Sequence, residues 1–374
     1  MTAGNEYTER LSALQSKLHT EGAGLALLAG TDQMRYLTGW KEGGHERFVG
    51  LFVPATGSPA LVVPAMNAPQ AMQTEAGIQT VLGWHDETGW HGQARELFET
   101  YASCDLSHVQ VDDELLSVHL LGLQGLFPQT RFSAIGTTMS RLREIKAPEE
   151  LAKMKRAADL IDSIIEDAFL EMREGITELE LQGWFYEAFK KHGTAASFTP
   201  TCCFGPNGAL PHHHTGDTRL KAGDVCVIDV GCLYAHYASD ITRTVAFQSI
   251  ADPHANDIYA LVYAAHMAAR KAATPGTSGE AVDAASRKVI TDAGYGEFFM
   301  HRTGHGIGIS THEPPYIVAG NDEPLLPGMC FSVEPGVYLQ GKFGVRIENI
   351  VTMTEDGAVS LNAEPTSHLR IVGN

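Results

Sequence analysis

Hydrophobic positions recur along the chain in two rhythms, and each predicts its own kind of element. Within residues 7–20, Leu11, Leu14 and Leu18 share one helical face, and Gly22 and Gly24 stop the helix. Leu25-Ala26-Leu27-Leu28-Ala29 is short and wholly apolar, as a buried strand should be. Phe48 to Val53 and Ala60 to Val63, joined through Thr56-Gly57-Ser58-Pro59, predict a hairpin. Strands near 78–83 and 108–111 should alternate with helices near 92–102 and 113–125, giving a small mixed α/β domain over residues 1–136.

A charged stretch, Ser140 to Ala147, then leads into Pro148-Glu149-Glu150-Leu151, with proline at a helix start and acids in its first turn. The spacing predicts a linker over 137–147 and a second domain over 148–374. Its first amphipathic helix should run to about Met172 and its second from Thr177, spaced from Glu180 as in a capping box, to Lys191. Another helical pair is expected near 254–273 and 279–293, with strands around it.

Two strands of this domain break the apolar rule. Val227-Ile228-Asp229-Val230-Gly231 and Ala238-Ser239-Asp240-Ile241-Thr242-Arg243-Thr244 each carry an aspartate where hydrocarbon is expected. A buried, unpaired carboxylate costs several kcal/mol or more, so both need a partner. Residues 231–237 are about hairpin length, which lets the second strand return beside the first and bring the acids together. Adjacent carboxylates repel, and a divalent cation is the natural partner.

Composition narrows the alternatives. The chain has 374 residues, 44% hydrophobic and 19% charged, enough for two domains with real cores. A formal net charge of -18 without a Lys/Arg run argues against nucleic acid and anionic membranes as partners. The N-terminal residues, Met1 to Glu6, lack a basic region and apolar core, and no apolar run approaches the ~20 residues of a membrane span. A cytoplasmic protein is expected. Cys104, Cys202, Cys203, Cys226, Cys232 and Cys330 show no disulfide spacing and are expected as reduced, buried thiols.

The second domain repeats itself faintly. Gly223, Asp229 and Gly231 are spaced like Gly328, Glu334 and Gly336, and each half then supplies another acid, Asp240 or Glu348. Thr303-Gly304-His305-Gly306-Ile307-Gly308 offers an imidazole among glycines, where backbone can approach a ligand closely. Four carboxylates and one imidazole balance two divalent ions, and such a donor set suits Mn, Co or Zn. Paired ions ~3.5 to 4 Å apart would activate a water between them as nucleophile.

Asp229-Val230-Gly231, Ser239-Asp240-Ile241-Thr242-Arg243-Thr244, Gly304-His305-Gly306-Ile307-Gly308, His312-Glu313-Pro314, Val333-Glu334-Pro335-Gly336 and Arg346-Ile347-Glu348-Asn349 stand in a telling order. Together they resemble the signature of the pita-bread metallopeptidases, nearest to the Xaa-Pro peptidases, prolidase and aminopeptidase P. The resemblance implies an α+β chain: a C-terminal pita-bread domain with pseudo-twofold halves, preceded by a creatinase-type N-terminal α/β domain. It also implies two divalent ions, manganese foremost with cobalt or zinc possible, and a homodimer. Asp229 would bind one ion, Asp240 and Glu348 would bridge both, and His305 and Glu334 would complete the second. Glu334 would exchange a proton with the activated water. His212 and His312 match the two histidines over the substrate, the latter stabilising the tetrahedral intermediate, although His213 and His214 are alternatives to His212. Glu313 is expected as an acid supporting the site, Thr242 as a hydrogen-bond partner of Asp240, and Arg346 as either a guide for Glu348 or a strand residue. His301 and His236 read as packing or loop histidines.

The implied reaction is hydrolysis of the Xaa-Pro bond, of dipeptides first, with aminopeptidase P as the alternative. Recognition of a dipeptide needs a cation for its free carboxylate. Pro314 to Pro327 holds no Lys or Arg, so the expectation falls on the Trp40 to Arg47 loop, with Arg47 leading. Methionine aminopeptidase generally lacks so large an N-terminal domain. A catalytically dead binding module, or a metal-free enzyme of the creatinase kind, should have lost metal-ligand acids, and all five positions are filled here.

Overall fold

A computed structural model describes residues 3–42 and 44–373. Met1 and Thr2, part of the N-terminal stretch read for a leader, Gly43 of the Arg47 loop, and Asn374 lie outside the described residues. The chain divides into two compact units, 1–143 and 144–374.

In the first unit the elements are α1 (Ala3–Thr20), β1 (Leu25–Ala29), α2 (Asp32–Thr38), β2 (Gly50–Pro54), β3 (Ala60–Pro64), α3 (Ala68–Ala71), β4 (Thr80–Trp84), α4 (His91–Thr100), β5 (His108–Val111), α5 (Ser117–Leu126), β6 (Arg131–Ala134) and α6 (Gly136–Arg143). They build one six-stranded sheet in the order β4-β3-β2-β1-β5-β6. The predicted hairpin forms, with Phe52 opposite Ala60, while β4, β5 and β6 join in parallel. Every residue of β1 is buried at the centre of this sheet, which is why its sequence shows no alternation. The expected linker over 137–147 is instead divided. Its first part is α6, held to the first unit by Thr138 Oγ1, which donates to Glu21 Oε2 at 2.6 Å, and by Tyr36 Oη, which donates to Leu142 O at 2.8 Å. The second unit begins at Glu144.

The second unit opens with two antiparallel-spaced helices, α7 (Pro148–Glu171) and α8 (Glu178–Lys191), and the Thr177/Glu180 capping box forms as expected. Then come β7 (Thr201–Phe204), β8 (Val225–Val230), β9 (Leu233–Tyr234), β10 (Tyr237–Ala238) and β11 (Ile241–Phe247). After α9 (His254–Ala272) and α10 (Gly279–Asp292) follow β12 (Gly304–Gly306), β13 (Glu313–Ile317), β14 (Cys330–Val333), β15 (Gly336–Leu339), β16 (Phe343–Arg346), β17 (Asn349–Thr354), β18 (Gly357–Ser360) and β19 (Arg370–Val372). One sheet runs β19-β11-β8-β7 and another β13-β12-β14-β17-β18, with β15-β16 and β9-β10 as separate hairpins.

The internal repeat is visible in the backbone. Gly175 N donates to Leu220 O and Gly276 N to Leu325 O, each at 2.9 Å, and all four turn glycines, Gly175, Gly276, Gly223 and Gly328, have positive φ. Thr177 bridges Arg219 as Ser278 bridges Pro324. Each half is thus a helix pair followed by a strand that enters from a left-handed glycine and ends in a ligand acid.

Helices decide which way those acids point. Ile228 and Val230 of β8, and Ile241 and Val245 of β11, join Ile161, Phe185 and Phe204 in the core beneath α7 and α8. Because successive strand residues face opposite ways, Asp229 and Thr242 turn to the other face of that sheet. All six cysteines are free; five are buried and Cys104 is partly exposed. Among the described residues, no helix is long and apolar enough to cross a membrane.

Candidate active site

The five expected ligands arrive from five separate places in the second unit. Asp229 is in β8, Asp240 precedes β11, His305 is in β12, Glu334 follows β14 and Glu348 lies between β16 and β17. They line one chamber of about 470 Å³ together with Phe198, Pro211, His212, His301, Arg302, His312 and Arg346. Asp240, His305 and Glu348 each offer a donor atom within 4.8 Å of the others. His305 Nε2 lies 3.4 Å from Glu334 Oε1 and 3.9 Å from Asp240 Oδ2.

Glycines around His305 work differently from the expected approach to a ligand. A Cβ on Gly304 would stand 1.9 Å from Ser332 O, and one on Gly306 would stand 2.3 Å from Pro314 O. They let the flanking strands close around β12. His305 Nδ1–H donates to Gly306 O at 3.1 Å, and since a carbonyl can only accept, the Nε2 lone pair faces the carboxylates.

The carboxylates are crowded and incompletely satisfied. Asp229 Oδ1, Asp240 Oδ1 and Glu348 Oε1 are buried with no hydrogen-bond partner. Burial pushes the Asp240 and Glu348 carboxyls well above their ordinary values, and repulsion from the neighbouring acids adds to it. Glu334 shifts the same way, again chiefly through burial. Three buried oxygens without hydrogen-bond donors, four acids and one imidazole nitrogen turned towards them are a donor set that fits divalent cations.

One side chain braces this set. Arg346 donates through Nη2 to Asp229 Oδ2, through Nη1 to Tyr338 Oη at 3.1 Å and through Nε to Thr242 Oγ1 at 3.0 Å. Burial opposes the Arg346 charge, but Tyr338, Asp229, Glu348 and Glu334 more than offset it. Expected either to guide Glu348 or to line a strand, Arg346 makes its direct contact with Asp229 and meets Glu348 only through Thr242. Thr242 departs from expectation: its hydroxyl donates to Glu348 Oε2 at 2.6 Å, not to Asp240. The register explains it, because Thr242 lies opposite Asp229 and forms a backbone bridge with Glu348 from the other half.

Other expected residues divide similarly. Glu313 pairs with Lys146 Nζ at 2.8 Å, with the two side chains 7% and 1% exposed, so it ties the His312 loop to the start of the second unit. His312 stacks obliquely on His305, ring centroids 4.1 Å apart. Burial, then the His305 and Arg302 charges, pull the His312 pKa down to about 4, so its imidazole is neutral at pH 7. Of the three adjacent histidines, His212 lines the chamber while His213 Nε2–H donates to buried Glu178 Oε2 at 2.8 Å. Glu178 also accepts from Phe204 N, Asn207 Nδ2 and Gly216 N, fixing both ends of the segment that carries His212.

His301 was missed. Its Nδ1–H donates to Arg302 O at 2.7 Å, and Nε2 accepts from Tyr338 Oη at 2.8 Å, which extends the Arg346 network to the chamber wall. His236, by contrast, is a loop histidine as expected, at positive φ between β9 and β10. Arg47 lies in the first unit, where Nε and Nη2 engage Asp86 at 3.0 and 3.1 Å.

Known proteins resemble the chain over nearly its whole length. It is 37% identical to a probable dipeptidase PepE of Mycobacterium tuberculosis over 366 residues, 96% of this chain and 95% of that protein. It is 35% identical to an Xaa-Pro dipeptidase of Lactobacillus helveticus, covering 93% and 95%. A crystal structure of prolidase from Thermococcus sibiricus superposes with a TM-score of 0.91 at 33% identity, covering 98% and 99%. Residues 10–145 match the creatinase/prolidase N-terminal domain, and residues 152–355 match metallopeptidase family M24. With the acids, the imidazole and the two related halves all in place, the chain belongs to metallopeptidase family M24.

Proposed function

We propose that the protein is an Xaa-Pro dipeptidase that works with two divalent ions, manganese first and cobalt or zinc as alternatives. The observation that supports this reading is that Asp240, His305 and Glu348 each offer a donor atom within 4.8 Å of the others, in a chamber that Asp229 and Glu334 also line. Asp229, Asp240, His305, Glu334 and Glu348 would hold the ions. When bound, the ions supply a water acidic enough to attack a peptide carbonyl near neutral pH.

The chain's own side chains supply the rest. Ser332 Oγ donates to Glu334 Oε1 at 3.0 Å and orients it, and Oε2 is the atom we assign to proton exchange. His312 is a neutral hydrogen-bond donor at pH 7 and is assigned to the oxygen of the scissile carbonyl as charge develops on it. His212 lines the same chamber and is assigned to substrate positioning. Relatives named dipeptidase and Xaa-Pro dipeptidase support the substrate class. A cytoplasmic homodimer completes the proposal, its assembly measurable by light scattering.

The test strips the protein with chelator, restores Mn, Co or Zn singly, and measures rates on Ala-Pro and Ala-Pro-Ala. A dipeptidase turns over Ala-Pro at least tenfold better in kcat/KM and only with metal. Preference for Ala-Pro-Ala would make it an aminopeptidase P, and activity indifferent to chelator would end the metal mechanism.

A further inference from the structure

The chamber holds two guanidinium groups, and only one is occupied. Arg346 is committed to Asp229, Thr242 and Tyr338. Arg302 lies half-buried in the wall with its guanidinium carbon 4.5 Å from the centre of the Tyr316 ring, and among the described residues it has no hydrogen-bond or ion-pair partner. Tyr316 is paired with His305 across β12 and β13, so the stack is borne on the same face as the imidazole that meets the acids. A cation laid on an aromatic face is held in place while its N–H edge remains free.

Substrate chemistry gives that free edge a use. An Xaa-Pro dipeptide carries a carboxylate on its proline, and taking that charge out of water into the chamber is costly unless a cation meets it. Residues 314–327 contain no Lys or Arg, and the fork of Arg47 is taken by Asp86. We propose that Arg302, steadied by Tyr316, binds the free α-carboxylate of the dipeptide substrate and so sets the preference for dipeptides. This assignment rests on the dipeptidase reading above and names the residue that enforces it.

The experiment compares holoenzyme and its Arg302→Met variant on Ala-Pro and Ala-Pro-amide, which differ only in the terminal charge. Wild type should favour the acid by about 10- to 100-fold in kcat/KM, the worth of a charge-assisted two-point contact, and mainly through KM. In Arg302→Met the ratio should fall to near 1, and Arg302→Lys, which keeps charge but not the fork, should lie between. Independently of turnover, L-proline should raise the melting temperature of wild type more than L-prolinamide does, and this difference should vanish in Arg302→Met and shrink in Arg302→Lys. A ratio retained in Arg302→Met, or one that collapses in Arg47→Ala instead, overturns the assignment. Failure of wild type to cleave Ala-Pro at all would fault the dipeptidase reading itself, an outcome separate from both.

Discussion

Thr242→Val removes one oxygen at nearly constant volume from the junction between the two halves of the site. That oxygen donates to Glu348 Oε2 at 2.6 Å and accepts from Arg346 Nε at 3.0 Å, both buried. Each is a hydrogen bond to a charged group, worth about 1.5–3 kcal/mol, and losing it leaves a carboxylate oxygen and a guanidinium N–H without partners. Loss of one such contact to a ligand weakens metal binding by about 10- to 100-fold. Titration of stripped protein with Mn²⁺ against a fluorescent chelator reads this directly, and Thr242→Ser should stay near wild type because it keeps the hydroxyl. At saturating metal most of the turnover should return. Mn²⁺ affinity of Thr242→Val within twofold of wild type would refute the argument that Thr242 holds Glu348 in register.

Three further outcomes follow from the same geometry. The Asp240, Glu334 and Glu348 carboxyls are raised by burial and mutual repulsion, so the folded state keeps protons that the unfolded chain releases near 3.8 to 4.5. Metal-free protein should therefore lose stability as pH rises above the carboxyl range of the unfolded chain, whereas metal-loaded protein should not; equal melting-temperature slopes would count against the cluster. His266 is fully buried, donates through Nδ1 to Val333 O at 3.0 Å, and has its pKa pulled from 6.5 down to about 3 by burial. Its stabilising contribution is complete above pH 6.5 and is lost on acidification towards 3 at about 1.4 kcal/mol per pH unit, so denaturant melts of His266→Gln should show a shallower acid slope than wild type by that amount. Glu178→Gln has one acceptor oxygen in place of two, so it cannot serve Phe204 N and Asn207 at one position and Gly216 N and His213 at the other; it should lower kcat/KM about tenfold while leaving Mn²⁺ affinity unchanged, and should add little to the defect of His212→Ala.

Acids in strands announced the centre, because an ionised group amid hydrocarbon has no purely structural explanation. Asp229 and Asp240 stood out in the sequence for that reason, Glu334 and Glu348 through the faint repeat, and His305 by its glycine setting. The long helices and β1 were equally legible, since their apolar periodicity is local. What stayed hidden depended on register between distant segments. Nothing in Asp240-Ile241-Thr242 reveals that Thr242 faces Glu348, more than a hundred residues on, and nothing around His301 reveals Tyr338. Lys146 sat in a stretch read as linker, so its buried pairing with Glu313 had no local signal. Arg302, flanked by His301 and Thr303, became conspicuous only once every other cation in the chamber wall was seen to be spoken for.

Duplication has left a lopsided pair. β7 stands to β8 as β12 stands to β14, yet where β12 presents His305, opposite the residue two before Glu334, β7 presents Cys203, opposite Val227, two before Asp229. Burial pushes the Cys203 thiol up to about 12, so it keeps its proton, and of the residues proposed to hold metal the first half offers oxygen alone while the second adds a nitrogen to its two acids. On the two-ion proposal above, symmetric scaffolding would furnish two unequal seats, one suited to hard, oxygen-seeking ions and the other to borderline ions that favour imidazole, so a single solution of mixed metals should sort itself between them.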